Sequence, residues 1–338
     1  MRVAAGWDAD ADVCLYRGDA LDLLRAMPAG CAQLVVTSPP YHLAKAYERG
    51  RRASFADYLD GQRRVIDECV RVLRPGGSIC WQVGNHVTPG EIVPLDVVLY
   101  PLFKRHDDLV LRNRVVWHFE HGLHCTKRLS GRYEVLLWFT RGSDARFHLD
   151  PIRVPQKYPG KRAWKGKRAG EYTGHPLGKN PGDVWTFPNV KANHVEKTAH
   201  PCQFPIELVE RVLLASTDPG DLVLDPYAGV GTTACAAVLH RRRAAGAEIV
   251  PQYVAIARER IAMAAAGTLA TRPRTRPVHR PDPRSALARR DGPRARVTRA
   301  TRTRASAQGI QISAHALSAA GDGLLADLRL EVVKPGGQ

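Results

Sequence analysis

Two short stretches carry residue types that could do chemistry. The first is TSPPY at 37–41, which closes the apolar run CAQLVVTSPPY. A Pro-Pro pair is a plain way to stop a strand, because proline has no N–H to give to a ladder. The same loop offers a hydroxyl at Ser38, a stiff backbone at Pro39 and Pro40, and an aromatic face at Tyr41, which together suit an active-site loop. The second stretch is LDPYAGVGTT at 224–233. Gly229 and Gly231 lie between an apolar run and a helical one. Glycines there let backbone approach a ligand, and a following helix N-terminus presents free N–H groups. Glu248 comes about 20 residues after the turn, where a carboxylate accepts hydrogen bonds from ribose hydroxyls. The spacing points to a nucleoside-containing cofactor. An ordinary strand–turn–helix unit with a surface glutamate is the plain alternative.

Three further clusters need weighing. HFEHGLHC at 118–125 brings His118, His121, His124 and Cys125 close in sequence, but no second cluster matches it, so no metal site is expected. KYPGKRAWKGKRAGEY at 157–172 mixes cations with aromatic rings. Lys157, Tyr158, Lys161, Arg162, Trp164, Lys165, Lys167 and Arg168 could contact the phosphates and bases of DNA. A solvated basic loop is the bland reading. Cys202, in the only Pro-Cys pair, reads as a packing residue.

The elements that must position these residues follow from periodicity. Apolar runs at 12–19, 31–38, 78–85, 112–119, 133–141, 221–229 and 242–250 read as strands. Helical spacing covers 20–27, 54–74, 92–106, 204–216, 232–240 and 253–265. Alternation of the two predicts an α/β sheet, with 112–119 and 133–141 as an antiparallel pair. A nucleotide-binding unit usually opens such a fold; here it closes it. The strands at 12–19 and 31–38 would continue the sheet begun at 221–250, so the chain reads as circularly permuted.

Composition bounds the rest. The 338 residues carry 50 Lys and Arg against 33 Asp and Glu, a formal charge of +17. Such an excess suits a polyanionic partner. Residues 268–304 hold 12 Arg, 2 Asp and five prolines, and are expected to be a disordered tail. Residues 151–197 hold ten Lys and Arg against Glu171, Asp183 and Glu196. Seven scattered cysteines make no disulfide framework, and no membrane span or signal peptide is read, so the expected compartment is cytoplasmic. The boundaries drawn are 1–150 with the TSPPY loop, 151–197 as a basic recognition segment, 198–267 with the glycine turn, the tail at 268–304, and 305–338 unassigned.

Taken together, TSPPY, DPYAGVGTT, the basic segment between them, HPCQFPIELVERVLLASTDPGDLVLDPYAGVGTT, GAEIVPQYVAIARERI and LYRGDALDLLRAMPAGCAQLVVTSPPY resemble the amino-methyltransferases of DNA in their permuted, beta-class arrangement. The likeness covers roughly residues 12–265. It implies a Rossmann-like, seven-stranded methyltransferase sheet, circularly permuted, with a small inserted recognition segment and with the 31–38 strand beside the 221–225 strand. It implies S-adenosylmethionine as cofactor, double-stranded DNA as substrate and base flipping. A cognate restriction endonuclease is the partner such enzymes commonly have.

Carried over by position, Asp225, Tyr227, Gly229, Gly231 and Thr232 fall on the cofactor loop. Glu248 falls on the ribose position and Asp19 near the adenine edge; His200 and Phe204 fall in the upstream cofactor segment. Tyr227 and Val230 depart from the Phe and Ser common there. The resemblance assigns catalysis to Ser38, Pro39, Pro40 and Tyr41. An exocyclic amine has its lone pair delocalised into the ring, and acceptors placed on its N–H bonds turn that pair toward a methyl donor. In the resembling family, members with aspartate at position 38 mostly modify adenine N6 and those with serine mostly modify cytosine N4, so the resemblance favours cytosine N4. The adenine N6 enzyme is the nearest rival; a noncatalytic DNA-binding regulator on the same fold and a methyltransferase for RNA or small molecules are the others.

Overall fold

The computed structural model describes residues 1–41, 54–88, 91–122, 124–158 and 160–276. Its centre is a nine-stranded sheet built from β1 (Val3–Ala4), β2 (Val13–Arg17), β3 (Ala32–Thr37), β4 (Leu73–Val83), β7 (Leu109–His118), β8 (Tyr133–Arg141), β9 (Val184–Thr186), β10 (Leu222–Asp225) and β11 (Arg243–Glu248). The order is β1-β2-β11-β10-β3-β4-β8-β7-β9. Six strands from β1 to β4 run parallel, and β8 turns antiparallel to both β4 and β7. The seven expected strands form the middle of this sheet, and β3 pairs with β10 through Val223↔Leu34 and Leu224↔Val35.

Continuous apolar strands need cover on both faces. Val35, Ile79 and Leu224 join one core with helices α1 (Ala20–Ala26), α2 (Phe55–Val72) and α3 (Leu95–Lys104). Leu34, Val36 and Val223 join the other with α4 (Ile206–Ser216), α5 (Thr232–Leu239) and α6 (Pro251–Ala265). The helices begin where their sequences supply caps. Asp19 accepts the Leu21 N–H at the start of α1, and Ser54 and Asp57 cap α2 reciprocally. Among the described residues no helix is long and apolar enough to cross a membrane.

Several expectations shift. The helix expected over 92–106 starts at Leu95, because residues before Pro94 are pushed to extended backbone. Glu91–Pro94 instead forms β6, paired with β5 (Asn85–Thr88). The third strand begins at Leu73 rather than 78 and carries Pro75-Gly76-Gly77 within it; Gly76 at φ +74° and a register shift opposite Ala32/Leu34 absorb the bend. The basic segment holds an unexpected edge strand, β9, whose Trp185 packs under the Arg211 guanidinium.

The tail expected to be disordered from 268 is anchored to the body at Leu269 and Arg272, while five of its nine described residues are exposed. Arg272 is buried and pairs with the buried Glu207 at 2.6 Å, and its N–H donates to Glu196. Paired charge, which composition does not reveal, holds it there. The remainder of that tail, 277–304, and the segment 305–338 lie outside the described residues.

Candidate active site

Four parallel strands end at one cleft: β2 at Gly18, β3 at Ser38, β10 at Pro226 and β11 at Glu248. The chain leaves β3 through α2 on one face and β10 through α5 on the other, so the order reverses between them. Open α/β sheets bind ligands at such a reversal. The cleft encloses about 770 Å³, the size of a small-molecule site.

Asp225 explains why the two motifs meet. Its buried carboxylate accepts the Thr37 hydroxyl at 2.6 Å, the Thr233 hydroxyl at 2.6 Å and the Tyr227 N–H at 3.1 Å. One side chain thus ties the residue before Ser38 to the glycine turn and the first turn of α5. Burial raises its carboxyl to about 6, against these three donors. Asp225 was expected to touch a cofactor; it lies beneath the cleft instead and does not line it. Gly231 is also off the wall. It sits at φ +74°, and a Cβ there would come 3.0 Å from the Ala257 Cβ, so glycine serves the close packing of α5 on α6.

The other expected cofactor positions, Asp19, His200, Phe204, Tyr227, Gly229, Thr232 and Glu248, all line the cleft. Glu248 accepts the Gly229 N–H at 3.0 Å through Oε2 and the Val250 N–H at 2.7 Å through Oε1. Both bonds orient the carboxylate and leave lone pairs on each oxygen. Burial raises its pKa, and the two N–H donors oppose that. Gly229 is left-handed at φ +53°, and a side chain there would touch the His200 ring. Burial, with Lys197 and Arg260, lowers His200 to about 4. Its Nδ1 accepts the Cys202 N–H, and the ring stands edge-on to Tyr253 at 4.6 Å. Tyr227 receives the Gln62 amide on its hydroxyl at 3.2 Å.

Ser38, Pro39, Pro40 and Tyr41 form the neighbouring wall. The Ser38 and Tyr41 hydroxyls lie 2.9 Å apart. Tyr41 also donates toward Gln82 Oε1 at 3.1 Å and Glu134 Oε2 at 3.2 Å, and the Gln82 amide donates to Glu134. Periodicity missed Gln82, Glu134, Gln62 and Tyr253, because no local motif marks them. Cys202, read as packing, is exposed on the cleft wall, since it follows the turn after His200 rather than entering a core.

Lys157, Tyr158, Lys161, Arg162, Trp164, Lys165, Lys167 and Arg168 are all exposed and none lines the cleft. They sit on an arm closed by an antiparallel bridge between Arg162 and Tyr172, with the Arg162 guanidinium 3.9 Å over the Tyr172 ring. Trp164 is 89% exposed. Among the described residues no His, Cys, Asp and Glu group is arranged to hold a metal.

The residues present suit a nucleoside bearing a cationic centre. Two carboxylates, Asp19 and Glu248, face a largely apolar cleft beside a left-handed glycine. Comparison with known proteins agrees. Residues 32–259 match the N6/N4 DNA methylase family. The Type II methyltransferase M.BglII of Bacillus subtilis is 49% identical over 244 residues, 72% of this chain and 67% of that one. The protein TTHA0409 of Thermus thermophilus, solved in complex with S-adenosyl-L-methionine, superposes with TM-score 0.53 at 28% identity, over 75% of this chain and 96% of that one. The cytosine-N4-specific PvuII DNA methyltransferase shares the fold, with TM-score 0.59 at 21% identity over 76% and 92% of the two chains.

Proposed function

Since the chain belongs to the N6/N4 DNA methylase family, a site-specific DNA methyltransferase, we propose that it transfers a methyl group from S-adenosylmethionine to the exocyclic N4 of a flipped-out cytosine in double-stranded DNA. The observation that carries this reading is the Asp225 clamp, which sets Ser38 beside the glycine turn in one cleft. The cofactor supplies an electrophilic methyl group on a sulfonium centre. Glu248, Asp19, the Gly229 backbone and the aromatic rings of Phe204 and Tyr227 would hold it.

The chain's own residues then act by position. Ser38 Oγ and the Pro39 carbonyl accept the N–H bonds of the amine and aim its lone pair. Pro39 and Pro40 keep these acceptors fixed. The Tyr41 ring gives the extruded base a face to stack on, which offsets part of the cost of unstacking it. The 157–172 arm supplies phosphate contacts and a stacking ring at Trp164. A cognate restriction endonuclease is the expected partner, in keeping with the Type II relative.

Serine at position 38 is the residue that the family resemblance associates with cytosine N4, while the family as a whole spans both amines. Nucleoside mass spectrometry of methyl-free DNA incubated with the chain and S-adenosylmethionine tests the reading. N4-methylcytosine supports it. N6-methyladenine would keep the site and overturn the base, and methyl groups on RNA alone would overturn the substrate.

A further inference from the structure

We propose that Glu134 is a positioning residue that fixes the direction of the hydrogen-bond chain ending at Ser38, so that Ser38 meets the target amine as an acceptor. This rests on the proposed amine-methylating function. Glu134 stands on β8, and its Oε2 receives both the Tyr41 hydroxyl, at 3.2 Å, and the Gln82 side-chain amide. Gln82 therefore turns its other end, Oε1, toward Tyr41 at 3.1 Å. A phenol has one proton. Both inner neighbours of the Tyr41 hydroxyl are acceptors, so that proton is committed inward.

At the outer contact, 2.9 Å from Ser38 Oγ, Tyr41 can then only accept. The Ser38 hydroxyl donates to Tyr41, and the Ser38 lone pairs are left for the N–H bonds of the amine. The same logic lets a buried carboxylate fix the tautomer of a catalytic histidine.

The direction holds only while Glu134 is ionised. A protonated Glu134 is itself a donor and claims one of the inner acceptors. The Tyr41 proton is then free to turn to Ser38, and the Ser38 proton points at the amine, donor against donor. Tyr41 and Gln82 face Glu134 from the loop after β3 and from β4, and Lys191, after β9, is the nearby cation. Burial raises the Glu134 carboxyl, with the two hydrogen bonds and Lys191 opposing. The backbone is shaped for this contact. A Cβ on Gly84 would lie 3.1 Å from the Tyr41 ring and 3.2 Å from Glu134 Oε1, so glycine lets both approach.

The test is the pH profile of single-turnover methyl transfer to DNA for the wild type, Glu134→Gln and Tyr41→Phe. The wild-type rate should rise with pH through a carboxyl pKa above the ordinary range. Glu134→Gln should lose that limb and run roughly 10- to 100-fold slower at its plateau, with cofactor affinity unchanged. Tyr41→Phe should lose the limb too. A limb that persists in Glu134→Gln overturns the inference. So does a wild-type rate in that variant. The carboxyl infrared band of the resting protein, wild type minus Glu134→Gln, reads the same ionisation without turnover. Wild type that methylates no DNA at any pH refutes the function itself, a result distinct from a persistent limb.

Discussion

Replacing Thr37 by valine removes one hydroxyl from the Asp225 clamp and changes little else in shape. Thr37 is fully buried, and its 2.6 Å bond goes to a carboxylate. A hydrogen bond to a charged group contributes about 1.5–3 kcal/mol, so Thr37→Val should lower unfolding free energy by that amount in urea titration of the full chain. The pH dependence follows from Asp225. Its folded pKa, about 6, already lies above the ordinary aspartate value, and losing a donor raises it further. The ionised form is the one penalised, so the deficit should be larger at pH 8 than at pH 5. A double-mutant cycle isolates the clamp. In an Asp225→Ala background the Thr37 hydroxyl has lost its acceptor, and Thr37→Val should cost nothing or stabilise. An equal cost in both backgrounds would refute the clamp as the link between the two loops.

Glu248→Gln should weaken S-adenosylmethionine binding by about tenfold in calorimetry, because an amide N–H would face one of the backbone donors that orient the carboxylate; unchanged affinity would remove Glu248 from the site. Each arm lysine that meets a phosphate, Lys161 or Lys165 replaced by alanine, should reduce the slope of log affinity for DNA against log salt by about 0.9. An unchanged slope would leave the arm a solvated loop. Arg272→Ala removes the cation beside Glu207, whose carboxyl burial has already raised to about 7. It should cost about 3–5 kcal/mol, and more at pH 8 than at pH 5.5, since the folded state then favours a protonated Glu207.

What the sequence revealed of the site was whatever is local. TSPPY and the glycine turn are contiguous, so their chemistry reads directly, and the apolar runs that carry them predict β3 and β10. Asp225 was legible as a residue of the turn but not as the clamp beneath it, since its partner Thr37 lies 188 positions away. Glu134 and Gln82 sit on strands whose alternation tells which face a side chain takes, not which loop it will meet. Their contact with Tyr41 exists only once β8 has paired with β4. Strand β6 was hidden at the start of an apolar run that also suits a helix, and Pro94 decided between them. The anchoring of residues 268–276 escaped composition because it rests on the contacts of Arg272 with Glu207 and Glu196 and on Leu269 against the core, none of which a basic, Pro-rich composition reveals.

Ser38 and the glycine turn are proposed to form one methyl-transferring site. Single-turnover transfer from S-adenosylmethionine carrying a deuterated methyl group, with wild type and Ser38→Ala on the same DNA, tests it most directly. Labelled N4-methylcytosine is expected from the wild type. A rate about 100- to 1,000-fold lower is expected in Ser38→Ala, with cofactor affinity unchanged. Equal rates in the two proteins would contradict it.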